Sequence, residues 1–92
     1  MNETQENKLG EIVAELDTFI ENMDNGSMYL EAVFEDEVLE INGNAEGLMK
    51  FAIQVLKLAN SRTEGSHFNY DEASMLSACD LPFEVRFQSF RA

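Results

Sequence analysis

Cysteine, proline and histidine each occur once in the 92 residues, and basic side chains are few. Each scarcity excludes something. With Cys79 alone, no disulfide framework can form within one chain, which fits a reducing, cytoplasmic compartment. One histidine rules out a multi-histidine metal cluster. No apolar run approaches the roughly 18 residues that a membrane-spanning helix needs. Met1–Lys8 is polar and acidic, without a basic start or an apolar stretch, so no secretory signal is expected. Lys and Arg total 6 against 18 Asp and Glu, a formal net charge of -12. Nucleic acid and anionic membrane surfaces require a basic footprint, and neither is an expected partner.

What remains is an acidic chain with enough apolar residues to fold. Hydrophobic residues make up 45% of it, too many for a disordered segment. At this length one domain spanning 1–92 is expected, burying roughly 60–65% of the unfolded chain's surface. Seven Phe and two Tyr point to a core built around rings. Twelve net charges exceed the magnitude of about 2–8 that solubility asks of a small domain. The charge is also polarised. Residues 1–44 hold 12 acids and one Lys, a net of -11, whereas residues 45–92 hold 6 acids and 5 bases, a net of -1. Such a field favours the approach of a cationic partner.

Periodicity supplies the elements. Leu9, Ile12, Val13, Leu16, Phe19, Ile20 and Met23 recur at helical spacing, and Glu11, Glu15, Asp17 and Glu21 lie off that stripe. This predicts an N-terminal amphipathic helix within residues 1–26, stopped at Asn25-Gly26. In Ser27–Glu35 and Val38–Asn42 apolar and polar residues alternate, predicting two antiparallel strands joined at Glu35-Asp36-Glu37. That turn lacks the Asn-Gly pair favoured in tight hairpins. Asn44 is a good N-cap for a second helix, Ala45 to Asn60, which is apolar over most of its circumference. Such a helix is covered on more than one side, by the sheet and by either the first helix or a second subunit. Ser66–Tyr70 reads as a short strand and Asp71–Asp80 as irregular, anchored by Met75, Leu76 and Cys79. Pro82 opens a last strand in which Phe83, Val85 and Phe87 alternate with Glu84, Arg86 and Gln88. Residues 27–92 thus form a ββαββ unit. The expected fold is an α+β two-layer sandwich, order α-β-β-α-β-β, with a mostly antiparallel four-stranded sheet.

No catalytic motif emerges. His67 and Asp71 are four residues apart, but on a strand and turn that spacing has no fixed geometry for a metal. Cys79 and His67 form a nucleophile and base on paper, yet a lone cysteine is ordinarily a small buried hydrophobe. Gly43 and Gly47 flank a helix start without the Lys and further glycines of a phosphate loop. The run Glu35, Asp36, Glu37, Glu40 lacks the alternating oxygens and central Gly of a calcium loop. No metal, cofactor or enzymatic activity is expected.

The stretch Ile41-Asn42-Gly43-Asn44-Ala45-Glu46-Gly47-Leu48, the apolar helix through Leu58-Ala59, then Gly65-Ser66-His67-Phe68 and Phe83-Glu84-Val85-Arg86-Phe87, resembles immunity protein thirty-two, a small α+β family of bacterial polymorphic toxin systems. The resemblance spans residues 38–88 and leaves out the long first helix. It supplies no catalytic residue. It implies a protein that neutralises a cognate toxin by direct contact, and the charge suggests that the toxin domain is basic. The expected contact surface is the acidic hairpin Glu35, Asp36, Glu37 and Glu40 with an outward strand face of Tyr29, Glu31, His67, Asn69 and Arg86. The alternative is a small self-associating module, a homodimer, suggested by the all-round apolar second helix and by Val33 and Val38 on an otherwise polar face.

Overall fold

A computed structural model of the chain describes residues 1–23 and 27–89. The elements are α1 (Glu3–Glu21), β1 (Leu30–Glu35), β2 (Val38–Gly43), α2 (Ala45–Ser61), β3 (His67–Tyr70), β4 (Ala78–Cys79) and β5 (Phe83–Arg86). The fold is α+β, in the expected order but for β4. The Asn25-Gly26 stop lies outside the described residues.

Both helices start where side chains satisfy the free N–H groups of a first turn. The Asn2 side chain accepts from Gln5 N at 2.9 Å and Gln5 Oε1 accepts from Asn2 N at 3.0 Å, a reciprocal capping box. Asn44 caps α2 through Gly47 N at 2.9 Å, and the same Oδ1 accepts Tyr29 N at 3.0 Å, tying the helix start to the entry of β1. The closeness of that tie explains Gly47. A Cβ there would lie 1.9 Å from the Tyr29 carbonyl oxygen, so only glycine fits.

The single four-stranded sheet does not form. β1 pairs antiparallel with β2 and parallel with β4, giving the order β2-β1-β4, while β3 and β5 make a separate antiparallel pair. The reason lies in the segment read as irregular. Ser77 N donates to Leu30 O at 2.7 Å and Asp80 N to Ala32 O at 2.9 Å, so β4 takes the free edge of β1. The Asp80 carboxylate then accepts Phe34 N at 3.0 Å. Backbone groups on a strand edge need partners, and a two-residue strand supplies them here. The β3–β5 pair continues past its ends through Phe87 N to Ser66 O, 2.8 Å, and Gly65 N to Phe87 O, 3.1 Å.

The core has two halves. Leu30, Ala32, Tyr70 and Leu76 are buried together, with Phe51 of α2 and Phe83 packed against them. Val13, Ile20 and Ile53 form the other half with Leu9, Met49 and Leu56. The helix α2 therefore sends Phe51 toward the strands and Met49, Ile53 and Leu56 toward α1, which supplies the second cover that its apolar circumference required. Phe51, Tyr70 and Phe83 form the expected ring cluster. Tyr70 stacks on Phe83 at 4.8 Å, and Phe51 meets Tyr70 edge-on at 5.1 Å. Among the described residues no helix is long and apolar enough to cross a membrane.

Candidate functional site

The surface residues singled out from the sequence fall on two separate sheets rather than one face. In the β1–β2 hairpin, Glu31 opposes Asn42, Val33 opposes Glu40 and Glu35 opposes Val38. Because side chains alternate across a strand, these six share the face turned away from the buried Leu30 and Ala32. Tyr29, two residues before Glu31, extends it. Asp36 and Glu37 form the tip. His67, Asn69 and Arg86 belong to the β3–β5 pair, where His67 opposes Arg86 and Asn69 opposes Glu84.

The two groups differ electrostatically. On β3–β5 the charges satisfy each other. Arg86 donates to Glu84 Oε1 at 2.7 Å and to Gly65 O at 3.1 Å, and His67 Nε2 lies 3.8 Å from Glu84 Oε2. The Arg86 hydrogen bond holds the Glu84 carboxyl below its ordinary pKa, with the charges of Arg86 and His67 adding to the effect. Glu84, which sequence reading did not single out, is the acid at the centre of this cluster. Arg86 is two residues along the same strand, whereas the approach of His67 from β3 depends on a pairing that only the folded chain reveals.

The hairpin acids, by contrast, have no cationic partner among the described residues. The ion pairs there engage Glu6, Glu11, Asp17 and Glu84. Glu31 instead accepts a hydrogen bond from Asn42 Nδ2 at 3.3 Å, and its proximity raises the pKa of the Tyr29 hydroxyl. Glu31, Glu35 and Glu40 thus surround Val33 and the exposed Val38, with Asp36 and Glu37 beyond them. An apolar centre within a charged rim is the arrangement of a protein-binding patch.

The hairpin tip is a two-residue loop. Glu35 pairs with Val38, and Asp36 and Glu37 take φ of +53° and +63°. Two consecutive left-handed residues define the tight turn whose twist suits a hairpin, normally built from Asn-Gly. Here two acids hold it, each against the preference of an L side chain. Both acids are exposed at the end of the sheet.

A cleft of about 610 Å³ is lined by Lys57, Leu58, Ser61, Glu64, Gly65, Ser66, His67 and Phe68. His67 Nδ1 lies 3.1 Å from Gly65 O, so the nitrogen facing Glu84 is Nε2. The Ser61 hydroxyl donates to Leu58 O at 2.8 Å. Cys79 sits in β4, half-buried against the Leu30 cluster, on a different sheet from His67. Comparison with known proteins adds no relative: no family model matches the chain, and neither a curated protein nor a solved structure matches it significantly.

Proposed function

We propose that this chain is a non-enzymatic binding protein of the immunity type, acting in the cytoplasm by covering a basic toxin domain with its β1–β2 hairpin. The observation that carries the reading is the set of acids at Glu31, Glu35, Asp36, Glu37 and Glu40, paired with no cation among the described residues and placed around Val33 and Val38. An isolated solubilising surface has no need of an exposed apolar centre. A landing surface for a cationic partner uses both parts, charge to speed the encounter and the valines to hold it. The resemblance over residues 38–88 supports the same conclusion from the sequence side. His67, Asn69 and Arg86 then serve at most as an extension of the surface, since Glu84 already neutralises Arg86.

The direct test is co-expression with the toxin encoded beside this gene. Survival that depends on this protein supports the reading, and failure to rescue overturns it. Reversal at Glu35→Lys, Asp36→Lys and Glu40→Lys should slow association about tenfold or more. Added salt should weaken wild-type binding, because charges are screened over about 8 Å at physiological ionic strength.

A further inference from the structure

The chain exposes more surface than a monomer of its mass should. Its accessible area is 6246 Å², whereas a folded monomer of 10.4 kDa is expected to show about 5,400 Å². The excess, roughly 850 Å², is close to the share of about 800 Å² that one partner contributes to a stable interface. The shape agrees. The radius of gyration is 14.7 Å against about 12.3 Å for a compact chain of this length. The molecule measures 41 × 39 × 20 Å, a slab only 20 Å thick.

Part of the exposed apolar surface is on the helices, and another part on the hairpin at Phe34, Val38 and Leu39. Ile12, Leu16 and Phe19 of α1 are 41%, 38% and 59% exposed, and Leu48 of α2 is 43% exposed. Between the helices runs an apolar groove of about 130 Å³, walled by Leu16, Phe19, Met49 and Leu56 and floored by Ile20 and Ile53. Along α2 the outward residues Ala45, Ala52 and Ala59 recur every seven positions, with Leu48 and Val55 three places after the first two. This is the a/d spacing of a helix seam; Ala45, Leu48, Ala52 and Ala59 are exposed along it, Ala52 at the edge of the groove beside α1 and Leu48 next to Gly43 of β2.

We propose that a second copy of this chain covers this face, two α1–α2 pairs meeting across a two-fold axis as a four-helix bundle. The excess over a compact monomer is of the size that one half of such a dimer buries. The α2 seam itself carries no ionisable group, so no charge is buried along the contact between the two α2 helices. The alanines allow close approach, and Leu48, Leu16 and Phe19 supply the buried apolar area. The two α2 helices run antiparallel, which opposes their dipoles and places Ala52, midway between Ala45 and Ala59, against its own counterpart.

Light scattering of the purified full chain should give about twice 10.4 kDa at micromolar concentration; a mass of one chain overturns the proposal. Ala52→Glu, at an exposed helical position, should raise the dissociation constant by about 100-fold or more with an unchanged circular dichroism spectrum. A dimer that survives this substitution in a folded protein places the contact elsewhere and overturns the proposal. Cysteine crosslinking gives a second readout that does not rely on that variant folding. In a Cys79→Ala background, Ala52→Cys should crosslink, and Ala45→Cys and Ala59→Cys should not. Equal crosslinking at all three positions, or none at Ala52→Cys, also overturns it. Toxin rescue depends on the hairpin and is scored separately, so failure of either idea leaves the other standing.

Discussion

The Tyr70 hydroxyl donates a hydrogen bond to Gln54 Oε1 at 2.9 Å, joining β3 to α2 beside the stacked rings of Tyr70 and Phe83. Tyr70 is 1% exposed, and burial pushes its pKa up to about 12 from an ordinary 10.0. The folded state therefore holds the neutral phenol more firmly than the unfolded chain does. The resulting stability is fully present below pH 10 and is lost as pH rises through about 12. Tyr70→Phe should cost about 1 kcal/mol at neutral pH and remove most of the alkaline loss. Urea midpoints measured from neutral pH into that alkaline window check both.

Two glycines should respond in opposite ways to alanine. At Gly47 the new Cβ meets the Tyr29 carbonyl at 1.9 Å, a backbone atom that cannot move aside alone. Gly47→Ala should destabilise by about 3 kcal/mol or more. At Gly10, inside α1, the nearest atom is Asn60 Oδ1 at 3.7 Å, an ordinary contact. Gly10→Ala should stabilise by about 0.5–1 kcal/mol, the usual helix preference. Thermal melting of the two variants separates them.

At the hairpin tip, Glu37→Gly relieves a left-handed side chain and should stabilise by about 1 kcal/mol. It also removes one of the surface acids. If the hairpin is the toxin-binding element, the variant should melt higher and bind its partner more slowly. A gain in stability with unchanged binding would remove Glu37 from the interface.

Arg86→Ala should return Glu84 toward its ordinary pKa of 4.5, since the Arg86 hydrogen bond is the main cause of its depression. The Glu84 contribution to stability is present above the unfolded pKa and disappears as pH falls through the lower folded one. The substitution should therefore shift the acid titration of this carboxylate upward, observable by NMR, and lower the melting temperature above the unfolded pKa, where the pair is charged, more than at acid pH.

The sequence was most legible where one residue decided a local geometry. Asn44 as a cap and the alternation of Phe83 and Val85 both appear in the structure as read. The two helices and the hairpin followed from periodicity because each buries one face. The strand β4 had no such pattern. Ala78 and Cys79 are too short a run to alternate, and their placement depends on Ser77 and Asp80 finding the backbone of Leu30 and Ala32 nearly fifty residues away. Once β4 occupied that edge, β3 and β5 formed their own pair, and the anticipated common face of Tyr29, Glu31, His67, Asn69 and Arg86 divided. The acids of the hairpin were evident from composition, whereas their lack of cationic partners required the folded arrangement.

The position of α2 between two clusters has a mechanical consequence. Phe51 belongs to the strand cluster, while Ile53, two residues on, closes the cluster beneath α1. Neither half can lose this helix and keep its packing, so melting should proceed as a single transition although the hydrophobic residues are split in two. A cavity made at Ile53 should loosen amides in the distant β1–β4 ladder as well as in α1, a long-range signature readable by hydrogen exchange. The helix serves as a keystone, and strain entering from either flank is felt on both.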